Sequence, residues 1–366
     1  MTSGTVIDDL VRSEVGALPR YGPDPSSASI DLSDNTNLWG APPGALKAVH
    51  EATSTSLARY PSLYGERVRH SALRYLGLGG STNLAVVTGC GSDDLLDSTM
   101  RAFGTVGDSI AFSSPTFTMI PVFARLNGLG VLAVPLTAHF DVDAQRLVDC
   151  AAKITYLCAP NNPTATAVSR AAIEFVVSNA KGIVVIDEAY AEFAPEVFTD
   201  LVVGHERVII ARTFSKAFGL AGLRMGYGVA HLRTAELLER ARGPYKVTAM
   251  AEHAALAVLE PGSDGLDWVR EHAALAVAIR DRLIAALRHC GLAPLPSVTN
   301  FVLVPTARAT AIAEGLRQRG VLVRAFSGLP REIPVFAESG GAAIRVGVGP
   351  WDMMQAMLDC LTSVLA

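Results

Sequence analysis

Charge is scarce in this chain. Only 18% of its 366 residues are Asp, Glu, Lys or Arg, against 50% that are hydrophobic. A disordered segment needs the opposite balance, so the composition describes a globular protein with an ample core, as one large domain or two unequal ones. The 31 basic and 35 acidic residues leave a net charge of −4, and no basic block occurs. That excludes the electrostatic footprint of a nucleic-acid or anionic-membrane binder. No apolar run is long enough to span a bilayer. The five cysteines (Cys90, Cys150, Cys158, Cys290 and Cys360) are odd in number and form no CxxC pair. A disulfide framework and a clustered metal site are therefore not expected, and reduced thiols in a cytosol are. The first residues, MTSGTVIDDLVRSE, carry acids and no apolar core, so no signal peptide is expected and the expected location is cytoplasmic. Internal repeats and low-complexity tails are absent as well.

What is present is an alternation. Short apolar runs at Ala85–Thr88, Ser109–Phe112, Val131–Leu136, Ile154–Cys158, Ile183–Ile186, Val208–Ala211 and Tyr227–Ala230 read as strands buried on both faces. Between them, Asp94–Phe103 and Arg170–Asn179 repeat apolar residues at helical spacing. This order predicts an α/β fold with a mostly parallel, seven-stranded sheet covered by helices. After about residue 245 the pattern changes to two Ala/Leu-rich helices broken at EPGSDG (260–265). A strand at Asn300–Val304, a helix at Thr306–Arg319, strands at Val321–Ala325 and Ala343–Val348, and a helix at Trp351–Leu365 follow. A smaller α+β domain over 246–366 is expected, joined by residues 1–44, with the large domain at 45–245.

Ligands of open α/β sheets sit outside the carboxyl ends of the strands, and five such places carry unusual residues. In AVVTGCGSDDLLDSTMRAF (85–103) a strand gives way to glycines and a helix starting near Ser92, a ready anion site in which Gly89 and Gly91 admit a phosphate. A methyltransferase glycine motif looks similar, but the next strand ends without the acid it requires. SSPTF (113–117) offers Phe117 as a stacking face. YLCAPNNPTATAVS (156–169) aims two amides out of a rigid turn. IVVIDEAYAEF (183–193) ends a strand on Asp187 and Glu188, with Tyr190 three residues beyond Asp187; a Walker ATPase is excluded because no GK[ST] occurs. Finally, RTFSKAFGLAGLR (212–224) surrounds Lys216 with Thr213, Ser215 and Arg224. Burial can make such a lysine nucleophilic toward a carbonyl, and its neighbours are phosphate donors. Taken alone, the glycine stretch reads as readily as a tight turn, Phe117 and the Asn turn read more readily as core and turn, and a lone loop lysine is far more often solvated; the combination is what carries weight.

Pyridoxal 5′-phosphate is one molecule that uses all five: a lysine for its aldehyde, an acid for its pyridine nitrogen, donors for its phenolic oxygen, a ring to stack on, and a helix start with an arginine for its phosphate. In joint order these motifs resemble the fold-type I aminotransferases over nearly the whole chain, and within them most nearly the histidinol-phosphate aminotransferase family, close to its aromatic-amino-acid branch. The resemblance implies that Lys216 forms the Schiff base and then moves the proton between Cα and C4′. It implies that Asp187 keeps the pyridine nitrogen protonated, that Tyr190 and Asn162 donate to the phenolic oxygen, and that Phe117 stacks on the ring. Gly91, Ser92, Asp93, Thr213, Ser215 and Arg224 would hold the phosphate, and Tyr60 in ARYPSLYG would reach the phosphate bound by the partner subunit, so a homodimer is implied. Tyr21, Asn35, Arg324 and Arg345 would bind substrate. The implied reaction passes an amino group from a small-molecule donor, histidinol phosphate, to 2-oxoglutarate. An aromatic amino acid is the alternative donor, and a related pyridoxal-phosphate decarboxylase is a further one. The chain departs from the family pattern at Thr36, Leu38 and Ala165, and by the added segment SGLPREIPVFAESGG (327–341), expected to be a lid or specificity loop.

Overall fold

A computed structural model describes residues 6–18 and 28–366. Tyr21 lies outside the described residues. In chain order the strands are β1 (Ile30–Asp31), β2 (Leu84–Gly89), β3 (Ser109–Ser114), β4 (Gly130–Pro135), β5 (Ile154–Cys158), β6 (Ile183–Asp187), β7 (Val208–Thr213), β8 (Gly226–His231), β9 (Phe301–Pro305), β10 (Val321–Leu322), β11 (Arg324–Phe326) and β12 (Ala343–Gly347).

Seven of them form one sheet in the order β2-β8-β7-β6-β5-β3-β4, parallel except for β8, which runs antiparallel to β2 and β7. Successive residues of one strand enter different cores: Val184 and Ile186 pack into one, Ile183 and Val185 into the other. Both faces are thus covered, which is why these strands read as unbroken apolar runs. The chain leaves β3 toward β4 on one side, while β5 continues toward β6 on the other. The switch between β3 and β5 opens a crevice at their carboxyl ends, where a ligand has room.

The later part packs a third core of Leu283, Val302, Ile312, Ile344, Met354 and Leu361. Helices Ala249–Leu259 and Gly265–His289 are broken where EPGSDG predicts, and the final helix spans Trp351–Leu365. The three-stranded antiparallel sheet β11-β12-β9 shares the third core with Gly265–His289 and Trp351–Leu365, whereas Ala249–Leu259 packs into the core of Val184 and Ile186. One expectation needs correction: 321–325 is not one strand. Val321 and Leu322 pair in parallel with Ile30 and Asp31, whereas Arg324 pairs across β12 with Arg345. Two different sheets claim adjacent residues, so the chain must turn at Val323, and an apolar run carries no mark of that division. The helix expected at Thr306–Arg319 is also shorter, Ala309–Arg317, because the Thr306 hydroxyl accepts from the Arg308 N–H and holds a turn ahead of it.

The 327–341 segment is anchored by its apolar residues. Leu329, Ile333 and Phe336 are buried, and Phe336 meets Phe140 edge to face at 5.7 Å.

Candidate active site

One cavity lies at the β3/β5 switch point, and it gathers residues from distant parts of the chain. Asn35, Ser92, Asp93, Phe117, Asn162, Asp187, Tyr190, Thr213, Ser215, Lys216, Arg224, Arg324 and Arg345 all line it. Gly91 stands behind this wall, at the first turn of the helix Gly91–Phe103.

The reactive lysine follows β7. Its Nζ donates to the backbone carbonyl of Asp34 at 2.9 Å and stands 5.9 Å from the Tyr190 ring. Burial, reinforced by the Arg345 guanidinium, brings its pKa down from 10.5 to about 8. Roughly a tenth of the amine is therefore unprotonated at pH 7, several hundred times the share of a solvated lysine. Asp187 closes β6. Burial pushes its carboxyl up to about 6, while hydrogen bonds from the Tyr156 hydroxyl and the Ala189 N–H oppose that rise. Asp187 is thus a carboxylate at neutral pH, with room to accept one more proton donor.

Tyr190 is buried, and its hydroxyl oxygen accepts from Asn35 Nδ2 at 3.1 Å. That bond leaves the phenolic hydrogen to point elsewhere, and burial keeps the phenol protonated by raising its pKa. Asn162 accepts at Oδ1 from Arg345 Nη1 at 2.7 Å, which turns its amide N–H2 outward. Phe117 is half-buried on the cavity wall. Thr116 and Asn161 join the turn that carries it to the Asn162 turn: Asn161 donates to the Pro115 carbonyl at 3.0 Å and Thr116 donates to Asn161 Oδ1 at 3.3 Å.

Glycine builds the anion cradle. Gly91 has φ +77°, and a Cβ there would lie 2.6 Å from Arg224 Nη2; a Cβ on Gly226 would lie 2.4 Å from the Ser92 nitrogen. Only residues without side chains let Arg224 lie across the helix start, whose first N–H groups have no partner within the helix. Arg224 is further held by the Ser215 hydroxyl at 3.3 Å and the Asp93 carboxylate at 3.5 Å. These residues fit a phosphate, and buried Asn35 Oδ1, which has no hydrogen-bond partner, marks a polar position still to be met.

One part of the cavity lining is basic. Arg324 and Arg345 are direct cross-strand partners in β11 and β12, and Arg345 also donates to the Ser33 carbonyl at 2.6 Å. Phe326 lines the cavity with them, 5.6 Å from the Arg345 guanidinium. Tyr60 is not in its own chain's cavity: it is 81% exposed and stacked on Tyr245 at 4.6 Å. Sequence reasoning missed Tyr156, Cys158, Phe326 and the Asp34 carbonyl. Tyr156 and Cys158 sit inside an apolar strand, and a backbone carbonyl has no sequence signal at all.

A buried lysine and a buried acid facing one cavity, with an anion-accepting helix start beside them at the switch point of the sheet, suit an enzyme that works with pyridoxal 5′-phosphate. Among proteins of known sequence, the family model for aminotransferase class I and II matches residues 27–349, and the chain belongs to that family. A histidinol-phosphate aminotransferase of Roseiflexus castenholzii is 37% identical over 98% of this chain and 99% of its own length. An aromatic amino acid aminotransferase of Mycobacterium sp. is 35% identical over 82% of this chain and 86% of its own. The fold is also that of the histidinol-phosphate aminotransferase of Sinorhizobium meliloti, solved in complex with pyridoxal-5′-phosphate, at a TM-score of 0.85 and 24% identity over 100% of this chain and 99% of that one. No helix among the described residues is long and apolar enough to cross a membrane.

Proposed function

We propose that this aminotransferase moves the amino group of histidinol phosphate to 2-oxoglutarate, giving imidazole acetol phosphate and glutamate. The opposed pair Arg324 and Arg345 in the cavity supports an anionic group on both substrates, and the 37% identity to a histidinol-phosphate aminotransferase over 98% of the chain is the observation that carries histidinol phosphate as the donor. Two guanidiniums suit a phosphate dianion, and the same two suit the carboxylates of glutamate and 2-oxoglutarate, which must use the site in turn. When bound, pyridoxal 5′-phosphate supplies the carbonyl that receives the amino group and a ring that spreads the electron pair released at the substrate Cα.

The protein supplies the rest. Lys216 would hold the cofactor through its Nζ and would carry the proton to and from the substrate Cα. Asp187 would hold the pyridine nitrogen, and the Tyr190 hydroxyl, which accepts from Asn35, and the Asn162 amide would hold the phenolic oxygen. Phe117 would pack on the ring, and Gly91, Ser92, Asp93, Thr213, Ser215 and Arg224 would hold the phosphate. We place residues 246–366 in a small domain beside the large domain 45–245, joined by the N-terminal segment 1–44, whose described residues Ile30 and Asp31 pair with Val321 and Leu322. The exposed Tyr60, turned away from its own cavity, supports a homodimer in which it serves the partner's phosphate. Five free cysteines suit a reducing cytoplasm.

Phe326, an apolar face beside the arginines, favours a second reading, an aromatic amino acid as donor. Half-reactions with histidinol phosphate, phenylalanine, tyrosine and histidine separate the two. Histidinol phosphate should convert the bound cofactor to pyridoxamine phosphate fastest. Equal rates with phenylalanine would overturn the assignment, and carbon dioxide release without pyridoxamine phosphate would replace it by decarboxylation.

A further inference from the structure

Behind the cavity stands a tyrosine to which the reaction so far gives no role. The β5–β6 register pairs Tyr156 with Val185 and Cys158 with Asp187, so Tyr156 and Asp187 are diagonal neighbours on one face of the sheet. Both are buried, at 1% and 3% exposure. The Tyr156 hydroxyl donates to Asp187 Oδ2 at 2.7 Å, and the Ala189 N–H donates to Oδ1 at 3.1 Å. Asp187 takes part in no salt bridge among the described residues, unlike Glu188 and Glu192, whose buried carboxylates are paired with Arg212. Its charge therefore rests on two neutral donors, and only one of them is a side chain.

Resting on the pyridoxal-phosphate reading, we propose that Tyr156 is a positioning residue that holds Asp187 ionised and aimed at the pyridine nitrogen, and so sets how firmly that nitrogen keeps its proton. Burial alone would favour a neutral Asp187, and donation from Tyr156 is the largest influence opposing it. Tyr156 can play this part because its own proton is not available for transfer: burial and the adjacent carboxylate hold the phenol far above its ordinary pKa. The proton that matters then lies between Asp187 and the ring. With the phenol removed, it shifts toward Asp187 and the ring loses positive charge. A less positive ring binds the Schiff-base proton at Lys216 more tightly.

The test compares the cofactor-loaded wild type with Tyr156→Phe. Borohydride should fix cofactor on Lys216 in both. In the variant, the pH at which the bound cofactor changes its visible absorption should rise by about one unit or more, the weight of a hydrogen bond to a charged group. The half-reaction should slow by about tenfold or more, and reconstitution with N1-methylated pyridoxal phosphate, whose ring charge is permanent, should remove most of that difference. An unchanged absorption pH, or an equal loss with the methylated cofactor, would overturn the proposal. If wild type itself forms no Lys216 adduct, the cofactor reading fails instead. Should Tyr156→Phe not fold, 3,5-difluorotyrosine at position 156 keeps the shape and donates more strongly; it must move the absorption pH downward, and no movement overturns the proposal.

Discussion

Gly91→Ala separates two properties that the phosphate cradle combines. Gly91 has φ +77°, and the new Cβ would fall 2.6 Å from Arg224 Nη2 and 3.4 Å from its Cζ. An alanine in left-handed geometry costs about 1–2 kcal/mol, which the cofactor-free and cofactor-bound proteins share. The chain already holds two such alanines among the described residues, Ala151 at φ +48° and buried Ala165 at φ +66°. The clash acts differently, because the atom met is the end of a flexible side chain. Arg224 yields, losing its 3.3 Å contact to Ser215 and its place across the helix start. Charge-assisted hydrogen bonds to a phosphate are worth about 1.5–3 kcal/mol, so the dissociation constant for pyridoxal phosphate should rise about 10- to 150-fold. Denaturant melts of the cofactor-free protein measure the first quantity, and titration of that protein with cofactor measures the second. Arg224→Gln should reproduce the weaker binding without the full loss of stability. A Gly91→Ala protein that melts earlier yet binds cofactor as tightly as wild type would refute the assignment of Arg224 to the phosphate.

Lys216 gives a pH signature. Capture of cofactor by the cofactor-free protein needs the neutral amine, so its rate should climb about tenfold per pH unit and level off above about pH 8. Because the folded pKa lies below the unfolded 10.5, the unfolded chain binds more protons between the two values, and stability of the cofactor-free protein should rise with pH across about 8 to 10.5. In Arg345→Gln the plateau should move to higher pH; a plateau unmoved would show that Arg345 does not act on the amine. Away from the cavity, Arg212 lies between Glu188 at 2.8 Å and Glu192 at 2.9 Å, all three buried. Arg212→Met strands two carboxylates and should cost about 3–5 kcal/mol in chemical denaturation, and a loss below about 1 kcal/mol would refute that account.

Much of this was legible because the relevant physics is local. Strands buried on both faces leave unbroken apolar runs, and a charge that ends such a run, as Asp187 ends β6, has little reason to be there except function. Helix breaks at 260–264 and the glycines of the cradle follow from backbone geometry that a sequence displays. What stayed hidden depends on register and partner choice. Tyr156 reaches Asp187 only because β5 and β6 pair in one particular alignment, and the division of 321–326 between two sheets depends on residues some 290 positions earlier and 20 later. The outward turn of Tyr60 toward Tyr245 likewise has no local cause, since the stack joins segments far apart in sequence.

The opposed arginines show why charge alone does not choose the substrate. Like charges directly across a strand pair disfavour the sheet by up to about 1 kcal/mol, and β11–β12 carries that cost before any ligand arrives. Arg345 is steadied by the rings of Phe301 and Phe326 at 5.3 and 5.6 Å and by its bonds to Asn162 and Ser33. Arg324 is in no ion pair among the described residues, so an anion at this end relieves a repulsion as well as making new bonds. That gain accrues to any compact dianion, a phosphate monoester or the distal carboxylate with its α partner, which lets one site serve both halves of a transamination. Discrimination between amino donors must then come from the rest of the cavity lining, where Phe326 offers an apolar face that an aromatic or heteroaromatic ring can cover.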